Sequence, residues 1–324
     1  MRVYQQMEFK LIRNGYLGFF SDAFRLLHTY MVCKKNGDEL FINSSNWNFG
    51  RWNDYFTTLS ATTTKEVVDI NWDKPEDRQF TVTDYRNAIQ DVFVFQPTIY
   101  KRLEDTLEKL NLKGKESSTV SIFIRRGDKL IGEAVFVPTE FYVKLALTRN
   151  PEHIFVQTDD YRAFLEVQNI TQQMAPHVNV YTTCPSTKFG MFYESLNLSK
   201  AICTNYNVNG QEVLNDSNIQ YLRTNILQKP IMEYTYEEMK EHVEEMLVGI
   251  LICQKAQWVV LDHMSNVSRF IVFSHPRGKQ AILSIEDLNI TINNSSTRLI
   301  PPYQYTEDKY IRNPRFHSIY NEYI

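Results

Sequence analysis

The sequence has few cysteines, and they are isolated from one another. Cys33, Cys184, Cys203 and Cys253 are far apart in the chain, and none belongs to a Cys-x-x-Cys pair. Closely spaced cysteine or histidine ligands are typical of structural zinc sites, so this spacing predicts reduced thiols and no zinc.

An excess of basic residues is also missing. Lysine and arginine number 35 against 38 aspartates and glutamates, which gives a net charge of −3. Binding to nucleic acid would require a basic face, so we expect no nucleic-acid partner.

The sequence contains no apolar run long enough to cross a membrane. The most apolar segment, Met246 to Cys253, is far shorter than the roughly 20 residues of a spanning helix. The first residues do not combine a positive charge with an apolar stretch, so we expect no signal peptide. We therefore expect a soluble, cytoplasmic protein without a membrane span.

Length and composition predict a globular protein with two α/β domains. With 324 residues, 43% hydrophobic and 23% charged, the chain is too long for one comfortable core and too apolar for disorder. The polar stretch 113–118 is the predicted boundary. We expect an N-terminal α/β domain at 1–116, a Rossmann-like domain at 117–290, and a tail at 291–324 that packs back across the domains.

Strand and helix patterns alternate along the chain, which is typical of a parallel sheet covered on both faces. Apolar runs predict strands at 8–12, 39–42, 119–125, 153–157, 178–181 and 258–261. Periodicity and caps predict helices at 21–35, 98–110, 138–148, 161–168, 235–255 and 265–273. Ser21 is the expected N-cap of the first helix, and Asn36-Gly37 is its expected end. Residues 183–232 are expected to be irregular, with a mobile loop.

The segment 120–134 contains the most informative motif. An apolar run, typical of a buried strand, leads directly into Arg125, Arg126, Gly127, Asp128 and Lys129. Ligands of open α/β sheets bind beyond the carboxyl ends of the strands, and a guanidinium matches phosphate oxygens, so the two arginines predict an anionic ligand. Ion pairs of these arginines with local carboxylates are an equal alternative. The Arg-Gly-Asp tripeptide is a weaker one, because cell adhesion requires an exposed loop tip.

Arg-Arg-Gly-Asp-Lys-Leu-Ile-Gly-Glu-Ala, at 125–134, closely resembles the donor-site motif of the alpha-1,6-fucosyltransferases. Weaker similarities to the same family occur elsewhere in the chain, in the same order along the sequence as in the family. They are the Gly-x-x-Gly loop at 15–18, the tryptophans Trp47 and Trp52, Thr-Asp-Asp at 158–160, and the segment 264–269. The resemblance implies an inverting glycosyltransferase of GT-B type, with two Rossmann-like domains facing each other across a cleft. The family's membrane anchor, stem and SH3-like domain have no counterpart here, so a Golgi-lumenal location is expected only if an anchor was removed.

The resemblance also implies roles for individual residues. Glu133 takes the place of the catalytic base, and Arg125, supported by Arg126 and Lys129, takes that of the cation beside the donor diphosphate. Asp128 is expected to orient Lys129 or an arginine. Further donor-side candidates are Gly15, Asp160, Ser265 and Asn266, and acceptor-side candidates are Tyr142, Trp47 and Trp52. Asp160 is equally compatible with a solvated helix N-cap, and the tryptophans with a core position.

The chain departs from the family at two positions that concern the nucleotide base. Phe123 and Gly249 stand where the family has a histidine and an aspartate that contact guanine. Since neither has a polar side chain, a UDP-sugar such as UDP-xylose is the first expectation and GDP-fucose the alternative. No Asp-x-Asp is present, so we expect no metal and no other cofactor. The expected partners are a nucleotide-sugar donor and a glycan or glycoprotein acceptor; an inactive glycan-binding protein is a further alternative.

Overall fold

The computed structural model of the protein describes residues 6–12, 18–59, 80–131, 136–192, 198, 204–208, 211–215, 217–223, 230–262, 265–285 and 291–294. These residues form two compact units. Unit 1 contains the described chain up to Arg102 together with Tyr234–Glu244, and unit 2 contains Leu103–Glu233 and the described residues from Glu245 onward. The domain boundaries expected at residues 116 and 290 stay predictions.

Unit 1 is built on a parallel strand pair joined by a helix. Its elements are β1 (Gln6–Ile12), α1 (Phe19–Asn36), β2 (Glu39–Asn46), α2 (Trp52–Tyr55), α3 (Val82–Val92) and the first part of α4 (Pro97–Lys109). β1 and β2 pair in parallel, which requires the crossover that α1 supplies.

The C-terminal end of α1 was predicted correctly from the sequence, and its N-terminal end was not. Gly37 lies in the left-handed region (φ 75°) and ends the helix as expected. The expected N-cap Ser21 is wrong, because the helix begins at Phe19 after Gly18. Phe19 and Phe20 are both buried, so the first turn extends toward them to place two aromatic rings in the core.

Unit 2 contains a five-stranded sheet in the order β5-β4-β3-β8-β9, and every strand pair in it is parallel. Its strands are β3 (Thr119–Ile124), β4 (His153–Thr158), β5 (Asn179–Thr182), β8 (Trp258–Leu261) and β9 (Ile282–Ser284). The intervening helices are α5 (Thr139–Leu147), α6 (Tyr161–Met174), α8 (Tyr236–Lys255, which begins in unit 1) and α9 (Asn266–Ser274). This alternation confirms the expected α/β class with a parallel sheet.

The strand order reverses direction between β3 and β8. From β3 the chain moves outward to β4 and β5 on one side, and it later returns to β8 and β9 on the other. In doubly wound sheets the crevice at such a reversal, beyond the carboxyl ends of the strands, is the usual ligand site. The sheet topology therefore locates a binding site independently of any sequence motif.

The region 183–232 is more regular than expected. β6 (Thr204–Val208) and β7 (Gln211–Asn215) pair antiparallel, and β10 (Thr291–Asn294) adds a third strand beside β6. A short helix, α7 (Ser217–Arg223), follows. The missed signal is Asn209-Gly210, a dipeptide typical of tight hairpin turns, between two short runs of strand-forming residues.

Within the described residues, no helix has the length and apolarity of a membrane span.

Candidate functional site

The carboxyl ends of β3, β4 and β8 place charged and polar groups side by side. Arg125 follows β3, Asp159 follows β4, and Asp262 and Ser265 follow β8. β3 is hydrogen-bonded to both β4 and β8, so these residues lie along the same edge of the sheet, where its strand order reverses. We call this edge the crevice.

Arg125 is ion-paired with two carboxylates. Its Nη1 contacts Asp159 Oδ2, and its Nη2 lies 2.6 Å from Asp128 Oδ1. The ion pairs that the sequence allowed as an alternative are therefore present, and Asp128 has an arginine partner. Asp128 is the more accessible carboxylate, with 21% of its side chain exposed against 10% for Asp159. An incoming anion would thus compete with Asp128 first.

Asp159 connects the residues that follow β3, Arg125 and Arg126, to the loop at 185–192. Its Oδ1 accepts a hydrogen bond from the backbone N–H of Arg126 at 2.7 Å, and its carbonyl oxygen accepts one from Gly190 at 3.1 Å. Its Oδ2 also accepts from the N–H of Met191. Asp159 belongs to the Thr-Asp-Asp at 158–160, but its own role could not be predicted from the sequence, because an Asp-Asp pair after a strand is compatible with an ordinary helix cap.

Arg126 faces the interior of unit 2, although it is adjacent to Arg125. Its side chain is buried and donates to the carbonyl oxygen of Val137 at 2.9 Å. Its guanidinium carbon lies 4.3 Å from the ring centre of Phe136 and 5.4 Å from that of Tyr221. These contacts hold the segment after β3 against α7. A contribution of Arg126 to phosphate binding stays a prediction.

Asp160 is the N-cap of α6 and is fully buried. Its carboxylate accepts hydrogen bonds from the backbone N–H of Arg162 at 3.0 Å and from Arg162 Nε at 2.9 Å. The capping role is therefore present, but the cap is ion-paired and dry instead of solvated. A donor-binding role of Asp160 stays a prediction.

Ser265 begins α9 at the β8 side of the crevice, as expected. Its Oγ accepts a hydrogen bond from the N–H of Val267 at 3.1 Å, and the Asn266 side-chain oxygen accepts one from Arg269 Nη1 at 2.9 Å. The start of α9 carries the partial positive charge of a helix N-terminus, which favours an anion.

Tyr142 lies within the core of unit 2. It is almost completely buried, and its hydroxyl donates to Asp262 Oδ2 at 2.7 Å. This bond ties α5 to the end of β8, next to the crevice. A contact of Tyr142 with an acceptor stays a prediction.

Trp47 and Trp52 are packed in the core of unit 1. Trp52 is buried and donates from Nε1 to the carbonyl oxygen of Thr58 at 2.7 Å. Trp47 donates from Nε1 to Asp22 Oδ2 at 2.9 Å and packs on Phe19, with ring centres 4.9 Å apart. The core position that the sequence left open is observed, and an acceptor role of either residue stays a prediction.

Burial raises the pKa of Asp22 from 3.8 to about 6. A raised carboxyl pKa means that the folded protein holds its proton more tightly, so stability falls as pH rises from about 4 to about 6. The shift corresponds to a loss of about 3 kcal/mol in the free energy of unfolding. We expect Asp22→Asn, which keeps an acceptor for Trp47, to remove most of this pH dependence. Urea unfolding of both proteins at pH 4 and pH 7 measures it; an equal loss of unfolding free energy in both proteins would contradict the assignment.

Two glycines allow the segment after β3 to touch the loop at 185–192. Gly127 and Gly190 both have positive φ (70° and 85°). A Cβ on Gly127 would lie 2.5 Å from the backbone nitrogen of Met191, and one on Gly190 would lie 2.9 Å from the Cα of Gly127. The N–H of Asp128 also donates to the carbonyl oxygen of Met191 at 2.9 Å. Backbone cannot yield as a flexible side chain does, so these positions require glycine.

We expect Gly127→Ala to destabilise the protein by about 2–5 kcal/mol, through left-handed strain and overlap together. Gly114→Ala is the matched control, since Gly114 has a similar φ of 77° but nothing within 4 Å of the added carbon. The control is expected to lose only about 1–2 kcal/mol. Thermal and urea unfolding measure both variants, and equal losses would show that the contact with Met191 is unimportant.

Glu133, Gly15 and Lys129 are the remaining predicted site residues. Glu133 and Gly15 lie outside the described residues, so their roles stay predictions. Lys129 is half-buried in the short 3-10 turn Gly127–Leu130 that follows Arg126. Its predicted support of the diphosphate is untested.

Phe123 and Gly249, the two positions that lack a polar side chain, both lie next to Gln157. Phe123 is buried on β3, and it is the register partner of Gln157 on β4. A Cβ on Gly249 would lie only 1.7 Å from Gln157 Oε1. The space beside Gly249 is therefore filled by an amide, and an aspartate placed there would have to displace Gln157.

Among the residues that the structure describes, no group of three or more histidine, cysteine, aspartate or glutamate side chains is arranged to hold a metal ion. The absence of a metal requirement stays a prediction, because Glu133 and other acidic residues lie outside the described part of the chain.

No protein-family model matches the chain, and no curated protein matches it. Among solved structures, it is similar to fucosyltransferase NodZ from Bradyrhizobium, with a TM-score of 0.48 and 9% identity over 91% of this chain and 100% of that one. It is similar to NodZ alpha-1,6-fucosyltransferase soaked with GDP-fucose, with a TM-score of 0.46 and 10% identity over 85% and 94% of the two chains. A mutant of Arabidopsis thaliana FUT1 in complex with GDP matches with a TM-score of 0.46 and 7% identity over 87% and 70%.

The two NodZ structures are fucosyltransferases, the class of enzyme that the sequence motif resembles.

Proposed function

We propose that the protein is an inverting, metal-independent glycosyltransferase that moves a sugar from a nucleotide-diphosphate sugar to a hydroxyl of a glycan. The observation that carries the proposal is the crevice of the five-stranded sheet, where Arg125 stands at the end of β3 and the start of α9 stands beyond the end of β8. A cation and a helix N-terminus at a strand-order reversal suit a diphosphate.

The proposed reaction is a single displacement. The acceptor oxygen forms a bond to the anomeric carbon, the bond from that carbon to the diphosphate oxygen breaks, and the diphosphate leaves with the electron pair. The acceptor proton passes to the carboxylate of Glu133. Arg125, with its planar fork of N–H donors, stabilises the charge that accumulates on the diphosphate.

A diphosphate would share Arg125 with two carboxylates. The guanidinium contacts Asp128 and Asp159 through one N–H group each, so its other N–H groups can bind a phosphate oxygen, and the phosphate competes with the carboxylates for the positive charge. Asp159 also holds backbone N–H groups of Arg126 and Met191, whereas Asp128 is more exposed. We therefore assign the exchangeable contact to Asp128.

The donor is proposed to be a UDP-sugar such as UDP-xylose, with GDP-fucose as the alternative. The support is that Phe123 is apolar and that the space beside Gly249 is already occupied. A clear preference for GDP would return the assignment to a GDP-fucose-dependent fucosyltransferase.

Thermal unfolding in the presence of UDP, GDP and inorganic pyrophosphate tests the proposal, because a ligand that binds only the folded state raises the apparent stability. A nucleotide present at 100 times its Kd is expected to add about 2.7 kcal/mol. Hydrolysis or transfer is then assayed with the nucleotide sugar whose base binds more tightly. If none of the three compounds stabilises the protein, the proposal is contradicted.

The ion pairs of Arg125 favour one other function, a nucleotide- or glycan-binding protein without catalysis. In that case the pairs would be purely structural, and Arg125 would never be released. Binding of a nucleotide sugar without turnover, in the presence of a range of glycan acceptors, would support this second function.

A further inference from the structure

Gln157 is a mostly buried amide with little to bind in the protein itself. It lies near the carboxyl end of β4, and 7% of its surface is exposed. Its described hydrogen bond is one accepted by Oε1 from Thr183 Oγ1 at 3.4 Å, and within the described chain its Nε2 donates to no residue. An amide N–H group without a protein partner can donate a hydrogen bond to a ligand.

The position of Gln157 relative to Arg125 is fixed by strand register. Phe123 on β3 pairs with Gln157 on β4. Side chains two residues apart on a strand share a face, so Arg125 lies on the face of Phe123, and Asp159 lies on that of Gln157. The ion pair between Arg125 and Asp159 is the next step of the same ladder. Gln157 is therefore about 7 Å along the strand direction from the proposed phosphate contact.

The third element beside the Gln157 side chain, after β3 and β4, is the helix α8. Its Gly249 lacks the side chain that would overlap the amide of Gln157, since a Cβ would lie 1.7 Å from Oε1 and 2.8 Å from Nε2. Gln157 thus occupies a notch between β3, β4 and α8, beside the ring of Phe123. Phe123 is also buried, so its ring leaves little space in this notch.

We infer that Gln157 is a specificity-determining residue that binds the base of the nucleotide donor, and that the base is uracil. The inference rests on the proposed function. The amide N–H group donates to a carbonyl oxygen of the base, and the ring of Phe123 packs against the base. Uracil has the smaller ring system, so its binding would displace the side chains of Gln157 and Phe123 less than a purine would. Thr183 has a positioning role, since its hydroxyl binds Oε1 and so orients Nε2.

Two variants test this role without changing Arg125 or Asp159. Gln157→Met keeps the length of the side chain and removes its donors. Gly249→Ala keeps Gln157 but forces its amide out of the notch, because the added carbon cannot coexist with Oε1 at 1.7 Å. Gln173→Met is the matched control, since Gln173 is exposed on α6.

Calorimetry with UDP, GDP and inorganic pyrophosphate is carried out on the wild-type protein and the three variants. We expect the wild-type protein to bind UDP more tightly than GDP. We expect Gln157→Met and Gly249→Ala each to weaken UDP about tenfold, the effect of one lost hydrogen bond to a ligand, and to leave pyrophosphate unchanged. The control should bind all three ligands as the wild-type protein does.

The outcomes separate this inference from the proposed function. If the wild-type protein binds none of the three ligands, the proposed function fails. If it binds UDP but both notch variants keep the wild-type ratio of UDP to pyrophosphate affinity, Gln157 does not read the base and the function stands. Tighter binding of GDP than of UDP by the wild-type protein also overturns the assignment of uracil. Circular dichroism confirms folding, and if one notch variant is unfolded, the other decides.

Discussion

Replacement of Glu133 by glutamine is expected to lower the rate of sugar transfer by about 10²- to 10⁴-fold, the usual contribution of a general base. The amide is nearly the same size as the carboxylate but cannot accept the acceptor proton. Nucleotide binding should change little, because the base acts on the acceptor and does not need to contact the diphosphate. Steady-state transfer kinetics and calorimetry with the nucleotide measure the two effects separately.

Glu140→Gln provides the control for this change. Glu140 lies on the exposed side of α5, paired with Lys144 at 2.5 Å, and its loss should leave transfer at the wild-type rate. A transfer rate of the Glu133→Gln protein equal to that of the wild type would mean that another carboxylate is the base. Asp128, which contacts Arg125 in the crevice, would then be examined first.

Arg125→Ala should reduce both the affinity for the donor and the rate of transfer. The guanidinium binds the diphosphate in the ground state and binds it more strongly as charge develops on leaving. Loss of this contact is expected to remove about 2–4 kcal/mol of transition-state stabilisation, or roughly 30- to 1,000-fold in kcat/KM. Arg125→Lys should recover part of this loss, because it keeps the charge but not the two-pronged geometry.

The alanine variant also leaves Asp128 and Asp159 without their arginine, so its stability must be measured alongside its activity. Arg149→Ala is a suitable control, since Arg149 is exposed and its guanidinium carbon stacks 4.0 Å from the ring centre of Trp258 at the opposite end of the sheet. If Arg125→Ala were folded and retained the wild-type KM and kcat, the ion pairs of Arg125 would be purely structural. The non-catalytic function would then be favoured.

Elements with strong local signals were predictable from the sequence. The apolar runs of β3 and β4 predict buried parallel strands, and all six residues of each are buried. Thr235 and Glu238 predict a capping box, and both of its hydrogen bonds are present, at 2.7 Å and 3.2 Å. Such signals succeed because a cap or a strand is decided by residues that are neighbours in the chain.

The roles of Arg125 and Arg126 could not be separated in this way. The two residues have the same side chain and the same charge, and the sequence places both at a strand end. One contacts carboxylates at the crevice, whereas the other is buried among the side chains of Phe136 and Tyr221. Which of two adjacent arginines faces a site depends on the backbone direction after the strand. Here the contact between Gly127 and the loop at 185–192 constrains that direction.

The sequence by itself determined the α/β class, the main strands and helices of unit 2, and the presence of a cation at the end of β3. Only the tertiary structure decided the strand order with its reversal between β3 and β8, and the pairing of Gln157 with Phe123 and Gly249. The physical reason is that periodicity and caps are properties of short segments, while register and side-chain packing join residues that are distant in the chain. Gln157 has no distinguishing pattern around it, and it becomes a candidate only when the sheet and α8 close around its amide.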